Sequence, residues 1–332
     1  MAFTDDELAR MMLAALTEPN LPVTGQLVRL VGAAEAVELI RNPELPLPAQ
    51  VNASAGARWR TDAFARYRDS LADELQLQTE QHQMRLLTPH GFHWPVALRD
   101  LGDHMPVALW AQGDPDLLTA STTSYLTIAG ARAATGYGVH VTEMLVDPLV
   151  AQGRIIVAGG AYGIDAAAHR SALSTREAST IAVLPAGVDR PYPAAHETMF
   201  RRITESGGLL ISELPPATTP TKWRFMARSR LLAALGGVTV ITEAGARSSA
   251  LVVASYATEI GRHVGAVPGP ITSASSAGCH RLLREDMAEV VTRPADIESM
   301  LDPHPTSLGP AYQRAARRAG IGPSPPQRTL AL

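Results

Sequence analysis

Between residues 125 and 267, six short apolar runs alternate with stretches of helix length, and this alternation leaves the chain very few folds. The runs lie at 125–129, 154–158, 180–184, 209–212, 238–242 and 263–267. Each is nearly continuous in apolar residues, the pattern of a strand covered on both faces of a parallel sheet. The segments between them, 139–152, 164–173, 196–206, 225–235 and 248–260, read as helices. Strands alternating with helices in this way predict βαβ units and a doubly wound, mostly parallel α/β sheet. In such sheets ligands sit beyond the carboxyl ends of the strands, so the segments following each run are the ones to search.

The first 120 residues lack that regularity. Leu8, Met11, Met12 and Leu16 fit one helical stripe, Leu27, Leu30, Val31, Ala34, Val37 and Leu39 fit a second over 25–40, and a longer helical pattern covers 59–83. Short strand candidates follow at 84–87 and 106–111, and the texture of the sequence changes near residue 120. The chain therefore divides into a small all-helical part over 1–83, an α/β part over 84–300 and a tail over 301–332. After Asp302 the tail has no acidic residue, several prolines and Arg314, Arg317, Arg318 and Arg328, the composition of a disordered basic segment too polar for another folded domain.

Composition removes several classes of function. With 46% hydrophobic and 18% charged residues among 332, the chain is an ordinary globular protein. No apolar run approaches the roughly 18 residues of a membrane span. The acidic start Asp5-Asp6-Glu7 is unlike a secretory signal, so a cytoplasmic location is expected. The single cysteine, Cys279, can form neither an internal disulfide nor a multi-thiolate zinc site. A net charge of −3 gives no global field for a polyanion, although a local groove can still be basic. All but one of the 29 basic residues are arginine, and the exception is Lys222.

The strand-end segments carry the chemistry. Gly130-Ala131-Arg132 follows the first run and sets a cation at the sheet mouth; the three spaced glycines of a dinucleotide fingerprint are absent. Gly159-Gly160-Ala161-Tyr162-Gly163-Ile164-Asp165 is a glycine-rich loop opening a helix, a cradle of backbone amides without the Gly-Lys-Ser/Thr end of a P-loop. Asp165 and His169, four residues apart, are expected on one helix face and hydrogen-bonded to each other. Lys222-Trp223-Arg224-Phe225-Met226-Ala227-Arg228-Ser229-Arg230 holds four cations, two aromatics and no acid. Rings that stack on unpaired bases beside phosphate-neutralising cations are how single-stranded nucleic acid is held; the same run also fits a solvated helix start with Phe225 in the core. Glu243-Ala244-Gly245-Ala246-Arg247-Ser248-Ser249 supplies capping serines, and the chain has neither a Gly-x-Ser-x-Gly elbow nor a His-x-x-x-His metal pattern.

Taken in order, these segments resemble the DprA/Smf family of DNA-processing proteins. The resemblance rests on Ala129-Gly130-Ala131-Arg132, the loop and helix from Gly159 to His169, Ala182 to Asp189 with Tyr192-Pro193, Ser212-Glu213-Leu214-Pro215-Pro216, Phe225 to Arg230, and Val267-Pro268-Gly269 with Gly278-Cys279. It implies an extended Rossmann-like fold behind a SAM-like helical domain, and a homodimer that binds and shields single-stranded DNA without cutting it and helps load a RecA-type recombinase in transformation or recombination. Carried over by position, Gly130 and Arg132 form the family's Gly-Ser-Arg loop, with Arg132 on phosphate. Lys222 takes phosphate and Phe225 stacks on a base, Arg228 and Arg230 stand in the Arg-Asn-Arg run, and Gly163 and Asp165 shape the pocket floor. No cofactor, metal or membrane is implied. The chain departs from the family pattern at Ala131, Ser229, Ser249, His280 and Asp286-Met287, and no winged helix is expected at its end. A different resemblance, to the lysine-decarboxylase-like Rossmann proteins that hydrolyse or sense nucleotides, rests on the Gly-rich strand ends and an acidic residue after a late strand, here Glu243, but their Pro-Gly-Gly-x-Gly-Thr signature is missing.

Overall fold

A computed structural model describes residues 3–174 and 180–301, so the tail expected over 301–332 lies, beyond its first residue, outside the described residues. Five helices come first: α1 (Asp5–Leu16), α2 (Pro22–Val31), α3 (Ala33–Arg41), α4 (Ala53–Phe64) and α5 (Leu71–Gln81). Thr4 opens α1 with a reciprocal capping box to Glu7. The helical stripe over 25–40 is broken at Gly32, whose φ of 86° no helix tolerates and which caps both α2 and α3. The pattern over 59–83 also splits, because the chain turns between α4 and α5 where Arg66 donates to the Leu16 carbonyl at 3.0 Å.

The strands and remaining helices follow as β1 (Arg85–Leu87), β2 (Leu109–Gly113), β3 (Tyr125–Ala129), α6 (Gly136–Ala151), β4 (Ile155–Ala158), α7 (Ile164–Ala172), β5 (Thr180–Val183), α8 (Glu197–Glu205), β6 (Leu209–Ser212), α9 (Lys222–Leu235), β7 (Val238–Ile241), α10 (Ala250–Glu259), β8 (His263–Ala266), α11 (Ala277–Arg284), β9 (Glu289–Val290) and α12 (Pro294–Leu301). They form one sheet in the order β1-β2-β6-β5-β4-β3-β7-β8-β9. Strands β3 to β9 pair parallel where they are neighbours, with Leu126 in register with both Ile156 and Val238. β1 and β2 add an antiparallel edge, β2 pairing with β6 through Trp110 and Ser212. The change of texture near residue 120 is therefore not a break in the sheet. The C-terminal α11, β9 and α12 were not expected from the sequence; β9 has two residues, too few to show a period.

Strands β3 to β7 are buried at every position, as their unbroken apolar runs require. One face is covered by α9 and α10, whose Leu231, Leu232, Leu235, Leu251 and Val253 meet Val157, Val183 and Ile211. The other is covered by α6 and α7 over β3, β4 and β7. Toward β2 and β6 it is covered by α8 together with the N-terminal helices, which share a cluster with Trp110, Leu184 and Leu210. The order reverses at β3: β4, β5 and β6 extend to one side, and the chain returns to place β7 and β8 on the other. The crevice at the carboxyl ends of β3 and β7 is thus the topological switch point, where open α/β sheets bind ligands.

Candidate nucleic-acid interface

Three loops meet at that crevice because glycine lets their backbones touch. The Ala131 amide donates to the Glu243 carbonyl at 2.7 Å and the Ile164 amide to the Ala131 carbonyl at 3.1 Å. A side chain on Gly130 would lie 2.8 Å from the Glu243 carbonyl oxygen. Gly163 has φ of 75°, and a Cβ there would come within 2.5 Å of the Arg132 carbonyl oxygen and closer still to that of Ala131. Both glycines therefore build the framework and offer no side chain to a ligand. Ala131 takes part only through its backbone, so the hydroxyl lost at that position is not needed to hold the loop.

Helix α9 supplies the opposite wall. It begins at Lys222, three residues earlier than the apolar pattern indicates, because the Thr221 hydroxyl accepts from the Arg224 amide at 3.2 Å. That earlier start puts Lys222 and Phe225 at i and i+3, one above the other on the helix surface. Across the crevice, the Arg132 guanidinium lies over the Phe225 ring, 4.4 Å from its centroid.

The four cations of the 222–230 run have different fates. Lys222 is exposed. Arg224 forks onto Glu18, with both bonds at 3.2 Å, and so ties the start of α9 to the turn after α1. Arg228 is buried beneath the cleft, where it donates to the Gly159 carbonyl at 2.6 Å and the Val183 carbonyl at 3.2 Å and lies 5.5 Å from the Phe225 ring centre. Together with Asp165 it lines a small hollow that adjoins the cleft at Arg132 and Phe225. Arg230 corrects an expectation. It was assigned to the DNA contact, yet it is 1% exposed and bonds Glu213 through both Nη atoms at 2.6 and 2.5 Å and the His104 carbonyl at 2.7 Å. A run of apparently free cations thus yields one solvent-facing charge; the periodicity could not reveal this because α9 is buried on nearly all sides from Ala227 onward.

Asp165 is also buried, accepting from the Ala161 amide at 3.3 Å. Burial pushes its carboxyl up from the usual range, opposed chiefly by Arg228. It does not bond His169 as expected: the His169 Nδ1 meets the Thr180 hydroxyl at 2.8 Å, and desolvation holds its ring at a pKa of about 3. Among the described residues the Ser229 hydroxyl bonds within its own helix, to the Phe225 carbonyl at 3.3 Å. Glu243 accepts from the Thr135 amide at 2.8 Å and the Thr135 hydroxyl at 2.6 Å. Through these two bonds Glu243 clasps the start of α6.

The resulting cleft has a volume of about 1110 Å³. Arg132, Lys222 and Arg247 line it together with Phe225 and Tyr192, and no carboxylate does. All three cations are exposed, and none forms an ion pair among the described residues. Arg247 was quoted in the sequence only as part of a capping segment; its place after β7, directly across the switch point from Arg132, is the signal that was available. Among the described residues no cluster of His, Cys, Asp and Glu could hold a metal, and no helix is long and apolar enough to cross a membrane.

The family profile described as DNA recombination-mediator protein A matches residues 85–302, about two thirds of the chain. The chain belongs to this family. A putative DNA processing protein DprA of Mycobacterium tuberculosis is 42% identical over 295 residues, covering 86% of this chain and 72% of that one. Protein Smf of Escherichia coli is 35% identical over 218 residues, covering 66% of this chain and 57% of that one. The X-ray structure of DNA processing protein A from Streptococcus pneumoniae superposes with a TM-score of 0.68 at 28% identity, covering 90% of this chain and 98% of the other. A structure of DNA processing protein A from Helicobacter pylori, described for its single-stranded DNA binding mode, superposes with a TM-score of 0.58 at 30% identity, covering 66% of this chain and 96% of the other. The DprA/Smf resemblance and the Rossmann-like sheet are both borne out.

Proposed function

We propose that this DprA/Smf family member binds single-stranded DNA in the switch-point cleft without cutting it, and that it acts in the cytoplasm as a homodimer that shields the strand and helps load a RecA-type recombinase during transformation or recombination. One observation carries the reading: three unpaired cations, Arg132, Lys222 and Arg247, and the Phe225 ring line one open cleft that contains no carboxylate, on a chain whose net charge is −3. Positive charge concentrated against the overall balance favours a polyanion. The ring adds what a duplex cannot use, because paired bases hide their faces while unpaired ones stack on aromatic side chains.

Fluorescence polarisation with labelled oligo-dT and with a duplex of equal length tests this. The strand binds more tightly than the duplex, Arg132→Ala and Lys222→Ala each weaken it, and the oligonucleotide is recovered intact after incubation. Equal affinity for both forms, or shortened product, overturns the proposal.

A further inference from the structure

Phe225 is not alone among the rings that line the cleft. The Arg132 guanidinium lies over it at 4.4 Å and Arg228 approaches at 5.5 Å. Beside it stands Tyr192, whose ring centre is 5.8 Å from that of Phe225 with the planes 79° apart. Tyr192 is 43% exposed. Its edge-to-face contact with Phe225 is its one ring or cation contact among the described residues, and its hydroxyl has no hydrogen-bond partner among them.

Two further features fit Tyr192 for this work. It lies between Pro191 and Pro193, whose rings fix their own φ and stiffen the backbone that presents it. It also stands where two hollows join. Tyr192 and Pro220 line both the cation cleft and a neighbouring groove of about 560 Å³, in which Arg190 and Arg201 are exposed. That groove is less basic than the cleft: Asp189 and Glu197 also line it, Asp189 accepts from the Ala217 amide at 2.9 Å, and Arg201 lies 3.8 Å from Glu205.

We propose that Tyr192 is a second base-stacking residue, which receives the nucleotide next to the one at Phe225 and carries the strand over the ridge toward Arg190. This rests on the single-strand reading given above and extends its footprint along the chain.

The test compares Tyr192→Leu, Tyr192→Phe and Phe225→Leu in full-length protein by polarisation with oligo-dT. Tyr192→Leu weakens binding about tenfold or more, the size of one lost stacking contact, while Tyr192→Phe retains affinity. The salt dependence stays unchanged, since no phosphate contact is removed. A strand containing 5-iodouracil, photocrosslinked to the wild-type protein, attaches within the tryptic peptide that contains Tyr192, a readout independent of any variant's folding. If Phe225→Leu weakens binding but Tyr192→Leu binds like wild type, or if crosslinks map only to other peptides, Tyr192 has no such role and the single-strand reading stands. If wild type does not prefer the single strand, both fall together.

Discussion

Removing the Glu213 carboxylate should cost the fold far more than any surface pair could. Arg230 is 1% and Glu213 8% exposed, and they meet in a two-bond fork at 2.6 and 2.5 Å. In Glu213→Ala the guanidinium keeps the carbonyls of His104 and Ala227 but loses its countercharge where solvent access is slight. Breaking one side of such a buried pair costs about 3–5 kcal/mol, a large fraction of the roughly 5–15 kcal/mol that holds most domains folded. Urea denaturation followed by circular dichroism measures this as a lower midpoint. Replacing both partners, Glu213→Leu with Arg230→Met, removes the unpaired charge and brings stability back to within about 1 kcal/mol of wild type. The double variant also binds oligo-dT as wild type does, because Arg230 faces away from the cleft. A loss below about 1 kcal/mol for Glu213→Ala, the value of an exposed pair, would refute the reasoning. So would a stable double variant that no longer binds DNA.

Two further outcomes follow from the loops and the buried histidine. Gly163→Ala forces a side chain onto a residue with φ of 75° that faces the carbonyls of Ala131 and Arg132; it loses about 2 kcal/mol or more in urea unfolding and weakens oligo-dT binding by shifting the Arg132 loop. His169 has its folded pKa near 3 against 6.5 when free, so the unfolded chain takes up a proton first as the pH falls. Its contribution to stability is complete above about pH 6.5 and is lost toward pH 3, at a slope of at most about 1.4 kcal/mol per pH unit. Asp165, raised by burial, acts in the opposite sense over its own range, so the comparison is with His169→Gln, which flattens the acid limb of a urea midpoint-versus-pH curve. An identical curve for that variant contradicts the assignment.

The sheet was legible because strands buried on both faces must be apolar throughout, and Tyr125–Ala129 and Val238–Ile241 meet that demand. The strand mouths followed from the same alternation, and with them Arg132, Lys222 and Phe225, each just beyond a strand or at a helix start; the switch point among them came only with the strand order. Arg230 was misread because a buried arginine and an exposed one look alike in sequence when the partner, Glu213, is 17 residues away. The Asp165–His169 bond does not form: Asp165 accepts from the Ala161 amide instead, and His169 Nδ1 meets Thr180 on the neighbouring strand. Arg247 and Tyr192 were overlooked for a different reason. Each sits among small or turn-forming residues, and only the return of the chain to β7 and the proximity of the 187–193 loop to α9 bring them to the cleft. Asp286, one of the departures from the family pattern, adopts φ of 57°, a backbone conformation that favours glycine.

The account depends on a few unpaired cations meeting phosphates, and the salt dependence of binding counts them. For single strands each neutralised phosphate contributes about 0.7 to the slope of log affinity against log salt. Titrating oligo-dT into wild type and into Arg132→Ala/Lys222→Ala over a series of salt concentrations should therefore give a slope shallower by about 1.4 in the variant. Parallel lines for the two proteins would mean that neither side chain touches the strand, and the cleft at the β3–β7 switch point would not be where DNA binds.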